Sequence, residues 1–295
     1  MMNFTNLFVT WSLDPEIFRI GLLAVRYYGL LFLIAFAMDF YVFKYFFKWE
    51  KLPPELLETL TFWAFISTVI GLRLGHCLFY EPAYYLSHPI EILKTWKGGL
   101  ASHGAAVGLP LGLYFFCRKY KMRYLWLLDR IVIVVALTGF FIRLGNLMNS
   151  EIYGMQTSMP WGFIFERNGE IVPKHPTQIY ESLGYLGIFF LLFFIYKKKE
   201  NLRNRSGFLF GLSLILIFGF RFLIEFIKET QDGDIDATVR SAVGLDMGQL
   251  LSVPLILVGV FLLYYAFRHA PKSNPLIGNL QFTIDNKTKK KERKH

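Results

Sequence analysis

Long apolar runs, broken by short basic or polar connectors, set the pattern of this chain. Crossing a bilayer as a helix takes about 20 mostly apolar residues. Seven stretches qualify, at 23–47, 59–80, 99–117, 125–148, 178–196, 207–227 and 247–267. The predicted fold class is therefore an all-α integral membrane protein with about seven transmembrane helices. The first run is too long for a cleaved signal peptide and has no basic segment before it. Residues 1–270 are expected to form one polytopic membrane domain, with no internal repeat. The tail 271–295, which ends Lys289-Lys290-Lys291-Glu292-Arg293-Lys294-His295, reads as a basic, disordered segment.

Charge gives the direction. Lys44, Lys48 and Lys51 follow the first run, and Arg118, Lys119, Lys121, Arg123 and Arg130 the third. Lys197, Lys198, Lys199, Arg203 and Arg205 follow the fifth, and more basic residues fill the tail from Arg268. The connector 228–246 instead carries Glu229, Asp232, Asp234, Asp236 and Asp246. By the positive-inside rule the N-terminus is outside and the C-terminus cytoplasmic, as an odd number of spans requires. Only 18% of residues are charged and 54% are hydrophobic, whereas soluble domains carry about 25% charged residues. The net charge of +10 does not indicate nucleic acid, because the basic residues sit in connectors and tail. Cys77 and Cys117 lie inside apolar runs and read as small buried side chains, not as a metal or disulfide framework.

The polar residues inside or beside the apolar runs carry the candidate chemistry. The fourth run passes straight into Arg143-Leu144-Gly145-Asn146-Leu147-Met148-Asn149-Ser150-Glu151-Ile152-Tyr153-Gly154. A charge at bilayer depth costs roughly 2.5–3.5 kcal/mol on insertion scales, so such residues usually face a site or a wet cavity. Given the orientation above, Tyr28, His103, Arg143, Asn146, Glu151, His175, Gln178, Glu181, Arg221 and Glu225 all fall toward the outer face. The segment 149–178 is long for a connector, and loops of that length are often functional.

Each of these has a structural alternative. Arg143 and Asn146, three apart, share a helix face and could simply tie helices together. Arg221 and Glu225, four apart, are either a closed intrahelical pair or a site in which one orients the other. Arg73 and His103 stand open between packing and chemistry. No Gly-x-Ser-x-Gly, His-Glu-x-x-His, Walker or Gly-x-Gly-x-x-Gly motif occurs. Two arginines, whose planar forks suit phosphate oxygens, remain beside a histidine and carboxylates. That set fits a phospholipid headgroup. A phospholipid or organic-anion transporter would use the same arginines, but such sites tend to lie at the midplane between repeats.

At these residues the chain resembles the bacterial prolipoprotein diacylglyceryl transferases. The family pattern Gly-Arg-x-Gly-Asn-x-x-Asn-x-Glu-x-x-Gly matches from Arg143 to Gly154, with Ile142 in place of its first glycine. Shorter matches are Asp14-Pro15-x-Ile17-Phe18, Tyr27-Tyr28-Gly29, Gly71-x-Arg73-Leu74-Gly75, Gly98-Gly99-Leu100-x-x-His103-Gly104, His175-Pro176-Thr177-Gln178-x-Tyr180-Glu181, Arg221-Phe222-x-x-Glu225 and Met247-Gly248-Gln249-Leu250-Leu251-Ser252. Ile217-Phe218-Gly219 stands before Arg221 where the family often has a tyrosine.

The resemblance implies transfer of the diacylglyceryl group of phosphatidylglycerol to the lipobox cysteine of prolipoprotein signal peptides. The products would be a thioether and glycerol phosphate. It implies no cofactor, no metal and no nucleic acid, and a place in the bacterial cytoplasmic (inner) membrane with the active site toward the outer face. The catalytic residues it implies are His103, Arg143, Arg221 and Glu225. Tyr28, Arg143, Asn146, Glu151, Gly154, His175 and Arg221 would bind substrate.

Overall fold

The computed structural model describes residues 8–21, 23–94, 99, 101–229 and 244–269; the tail 271–295 lies outside them. Its helices are α1 (Tyr27–Trp49), α2 (Pro54–Phe79), α3 (Pro82–Ser87), α4 (Ser102–Tyr120), α5 (Tyr124–Met148), α6 (Thr177–Lys198), α7 (Glu200–Arg203), α8 (Phe208–Glu225) and α9 (Met247–Arg268). Six of them, α1, α2, α5, α6, α8 and α9, are long and apolar enough to cross a membrane. Helix α4, counted as a span from the sequence, falls short of that measure. Its 19 residues include Ser102 and His103 in the first turn and Arg118 and Lys119 in the last. Large apolar side chains such as Leu33, Phe62, Phe194 and Phe261 stand more than half exposed. Water would penalise that surface by about 25 cal/mol per Å², whereas lipid does not. The protein is a predominantly helical, multi-pass membrane protein.

The helix ends follow local chemistry. Pro54 opens α2 after an extended Pro53, because a missing N–H costs nothing in a first turn. Helix α9 starts with a capping box between Asp246 and Gln249. Residues 23–26, assigned to the first span from the sequence, are a strand instead. Strand β1 (Val9–Trp11) pairs in parallel with β4 (Phe163–Phe165), and β2 (Glu16–Ile20) pairs antiparallel with β3 (Leu23–Arg26). Gly21, at φ +59°, makes the turn between β2 and β3, so the chain folds back before α1 begins.

The chain forms two compact units. Among the described residues, one joins those up to Val42 to those from Asp129 to His269; the other comprises Phe43–Leu128. In the second, α2 and α4 meet along glycines. A Cβ on Gly71 would come 2.4 Å from the Gly104 carbonyl oxygen, and one on Gly108 would come 2.6 Å from the Ser67 carbonyl oxygen. Lipid tails give helices no hydrophobic drive to associate, so close backbone packing through small residues supplies the attraction. In the first unit α8 and α9 repeat the device: a Cβ on Gly211 would stand 2.8 Å from the Gly259 carbonyl oxygen. There too the Thr138 hydroxyl of α5 donates to the Asp39 carboxylate of α1.

Helix α8 is capped from outside its own sequence. The Asp129 carboxylate of α5 is fully buried and accepts from the backbone N–H groups of Gly207 and Phe210, each at 2.8 Å. Two amides that α8 cannot satisfy internally are thus paired. Asp129→Ala leaves both without a partner in an apolar surround and should cost about 2 kcal/mol or more. Asp129→Asn, which keeps an acceptor, should cost less. Thermal unfolding of the purified variants in detergent measures the order; equal melting temperatures for wild type and Asp129→Ala would remove the cap from the account.

Candidate active site

Within the first unit, the C-terminal ends of α5 and α8 and the N-terminal end of α6 bring charged groups together. Arg143 of α5 sends Nε to Oε2 of Glu181 on α6 at 3.0 Å. Its NH1 donates to Asn146 Oδ1 at 3.2 Å, and Asn146 Nδ2 donates to Glu151 Oε1 at 2.8 Å. Asn149 Nδ2 donates to the same Glu151 oxygen at 3.2 Å. The motif therefore closes on itself: guanidinium, amide and carboxylate form one directed chain. Glu181 is fully buried and Asn146 nearly so. A carboxylate removed from water in this way needs a cation, and Arg143 provides it.

Glu181 has a second cation. Lys228, just beyond α8, places Nζ 3.8 Å from Glu181 Oε1 and 3.6 Å from Glu225 Oε2. The sequence left open a direct Arg221–Glu225 pair, and the structure does not form it. The Glu225 carboxyl instead lies against the first turn of α9, where a Cβ on Gly248 would stand 2.5 Å from it. The positive end of a helix dipole favours a carboxylate there. Arg221 makes no ion pair and no hydrogen bond with any described residue. Tyr185 of α6, buried against Gly139 and edge-on to Phe220, stands within electrostatic reach of both Arg143 and Arg221. A tyrosine thus reaches the arginines from α6, in a chain that has isoleucine at 217.

The loop after α5 is pinned on both sides. Ser150 and Ile152 adopt left-handed backbone, at φ 55° and 63°, strain that only a well-held loop sustains. The holding bonds are Gln178 Nε2 to the Glu151 carbonyl at 2.7 Å and Thr177 Oγ1 to the Ile152 carbonyl at 2.9 Å. Gly154 donates its N–H to the His175 carbonyl at 2.8 Å, and Met155 donates to Ile227 at 2.9 Å. A Cβ on Gly154 would meet the Ile227 carbonyl oxygen at 2.5 Å and His175 Cβ at 2.7 Å. Gly154 and His175, expected to bind substrate, also form the seam that joins loop to helix. The Tyr28 ring packs on Gly145 and lies in electrostatic reach of Glu151 and Arg143.

The other two sequence candidates belong to the second unit. Arg73 is a backbone clamp: Nε, NH1 and NH2 donate to the carbonyls of Ile92, Gly99 and Glu91 at 2.8, 3.1 and 2.6 Å. The guanidinium also lies over Tyr85, 5.0 Å from the ring centroid. That resolves Arg73 toward structure. His103 is exposed at the start of α4, edge-on to Phe79 at 5.2 Å and tilted against Tyr80 at 5.7 Å. Among the described residues no group of His, Cys, Asp and Glu could hold a metal ion. Lys228 and Tyr185 were missed from the sequence. Arg221, Glu225 and Lys228 are spaced i, i+4, i+7 on one helical face, a signal hidden because the lysine falls just past the apolar run.

The class is a polytopic membrane protein with an arginine-bearing ionic cluster among its helices. The chain belongs to the prolipoprotein diacylglyceryl transferase family, whose model matches residues 15–265, and is therefore a membrane-embedded transferase. A phosphatidylglycerol–prolipoprotein diacylglyceryl transferase of Tolumonas auensis is 44% identical over 86% of this chain and 95% of its own length. Enzymes of the same name from Bacteroides fragilis and Porphyromonas gingivalis are 41% and 42% identical, over 90% and 89% of this chain and 97% and 96% of theirs.

His175 sits where acid should act. Its Nδ1 lies 3.2 Å from the Tyr180 hydroxyl, which accepts from Trp161 Nε1 at 2.7 Å. Burial holds the imidazole below its ordinary value. Between that lowered value and about 6.5 the unfolded chain binds more protons than the fold, so stability falls as pH drops through this window. His175→Gln cannot titrate and should flatten the acid side of the stability curve. Melting temperatures at about pH 7.5 and pH 5 test this; an acid-side loss as large in the variant as in wild type would contradict it.

Proposed function

We propose that this protein transfers the diacylglyceryl group of phosphatidylglycerol to the lipobox cysteine thiol of prolipoproteins. The sulfur attacks the glycerol carbon that bears the phosphate, a carbon–sulfur bond forms and the carbon–oxygen bond breaks. Glycerol phosphate leaves with the bonding electrons, and the thiol proton passes to a base. No cofactor enters this balance. The observation that carries the reading is the largely shielded Arg143, fixed through Nε and NH1 to Glu181 and Asn146, with Arg221 in electrostatic reach of the same Tyr185.

The chemistry follows from charge. Displacement at carbon leaves an extra negative charge on the phosphate. Guanidiniums already fixed in a low-dielectric site stabilise that charge without reorganising. Arg143 holds the phosphate, and Arg221 meets the charge that develops on the leaving group. Glu225 belongs to the same cluster through Lys228. Asn146, Glu151 and Tyr28 support Arg143 and position the glycerol headgroup, and Gly154 and His175 line the substrate side of the loop that they also hold in place. A cysteine thiol has a pKa of about 8.5 and attacks as thiolate, so it needs a proton acceptor; His103 takes that role. Both the lipid and the signal-peptide helix already lie in the bilayer. The basic connectors support a reaction at the outer face of the bacterial cytoplasmic membrane, with α4 as a seventh span.

Purified protein incubated with phosphatidylglycerol and a lipobox peptide should release glycerol phosphate, and a peptide with serine for the cysteine should release none. Release without the cysteine, or no release at all, would overturn the reading. Arg143→Lys keeps the charge but loses the planar fork, and should lower turnover by about 10²-fold or more. Full activity in that variant would remove the phosphate assignment. For His103→Gln, the pH–rate profile should lose its limb near neutral pH; a profile superimposable on wild type would take His103 out of proton transfer.

A further inference from the structure

The two arginines of the cluster are not in the same electrostatic state. Arg143 is committed to Glu181 and Asn146, while Arg221 pairs with none of the described residues. Glu225, one helical turn on from Arg221, is the natural partner for it and is turned away. Two features hold it away: Lys228 Nζ at 3.6 Å and the N-terminal turn of α9 against which its carboxyl packs. Lys228 is itself fixed at both ends. Its backbone bridges Gly154, and its side chain, 7% exposed, reaches Glu181 as well as Glu225.

We propose that Lys228 is a positioning residue that occupies the Glu225 carboxylate, so that Arg221 stays unpaired and available to an anionic lipid phosphate. The proposal rests on the reading that phosphatidylglycerol is the substrate. Charge in the cluster supports it. Glu181 is met by Arg143 and Lys228, Glu225 by Lys228, and Glu151 by the amides of Asn146 and Asn149, so each carboxylate of the cluster is engaged elsewhere than with Arg221. Without Lys228, Glu225 and Arg221 are four residues apart on one helix face, where oppositely charged side chains meet readily. The phosphate would then have to compete with an internal carboxylate for the fork.

Lys228 also gives the arrangement a pH signature. Burial holds its amine below the ordinary lysine value; Arg143 and Arg221 push the same way, while Glu181 and Glu225 oppose them. As pH rises through that lowered value the amine loses its charge and Glu225 is released toward Arg221. Lipid affinity should therefore weaken on the alkaline side before an ordinary lysine would titrate.

The test is titration of the purified full-length protein with short-chain phosphatidylglycerol, alongside transfer kinetics. Lys228→Gln should weaken lipid binding and raise KM by about tenfold or more, with a smaller change in kcat. Lys228→Arg, which keeps the charge, should bind like wild type and lose the alkaline weakening. In Lys228→Gln/Glu225→Gln no carboxylate remains to trap Arg221, so most of the lost affinity should return. Three results would overturn the inference: equal binding by Lys228→Gln and wild type, a double variant no better than Lys228→Gln, or an alkaline weakening that persists in Lys228→Arg. If Lys228→Gln does not fold, that last comparison decides. Wild-type protein that ignores phosphatidylglycerol would overturn the functional reading as well; wild type that binds while Lys228→Gln binds equally overturns this inference alone.

Discussion

A carboxylate and a guanidinium held face to face among apolar helices set the terms for the rest of this molecule. Glu181 has no access to water, and an unpaired carboxylate there would cost several kcal/mol. Arg143 supplies the counter-charge from α5, across a helix interface, at 3.0 Å. Once that pair forms, the neighbouring groups have little freedom. Asn146 must present its oxygen to Arg143 and hence its amide nitrogen to Glu151. The loop that follows must take the left-handed backbone seen at Ser150 and Ile152 to bring Glu151 round. The bonds from Thr177 and Gln178 on α6 then hold that loop, so one helix supplies both the counter-charge and the clamp.

Arg73, Arg143 and Arg221, all within apolar helices, are each in a different condition. Arg73 spends its guanidinium on three backbone carbonyls, which makes it part of the scaffold of the α2–α4 unit. Arg143 is committed through Nε to Glu181 and through NH1 to Asn146. Arg221 is free of the described carboxylates. An anionic substrate binds most strongly to cations whose charge is not already answered, and most selectively to those held in place. Arg143 is held in place and Arg221 has an unanswered charge, a division of labour one arginine could not supply alone.

The scaffold that holds them is built from contact at small residues. Gly71 against Gly104 and Gly211 against Gly259 bring backbones closer than any Cβ allows. In lipid this packing substitutes for the hydrophobic effect that drives soluble cores together. It also frees the outward faces to carry phenylalanine and leucine toward the bilayer. The polar caps are likewise internal: Asp129 satisfies amides of α8 from α5. Helix ends in such a protein cannot all rely on water, so they rely on each other.

Much of this could be read from the chain. Run length located the long helices to within about five residues, and six of the seven expected spans are long and apolar enough to cross a membrane, because a bilayer demands about 20 apolar residues per crossing. The Arg143–Gly154 motif announced an ionic site, because charge beside a membrane span is costly unless used. Three things needed the fold. Strands β2 and β3 displaced the start of α1, since three apolar residues closed by Arg26 suit a strand as well as a helix. Gly154 and His175 became a seam, because only the packed loop shows what a Cβ at 154 would strike. The partner of Glu225 was decided by tertiary structure alone. Sequence spacing offers it Arg221 or Lys228 equally, and the N-terminal turn of α9, far along the chain, turns the carboxyl toward the lysine. Local sequence fixes which residues can meet on one helix, whereas the choice between ionic partners depends on fields from helices that become neighbours only in the folded protein.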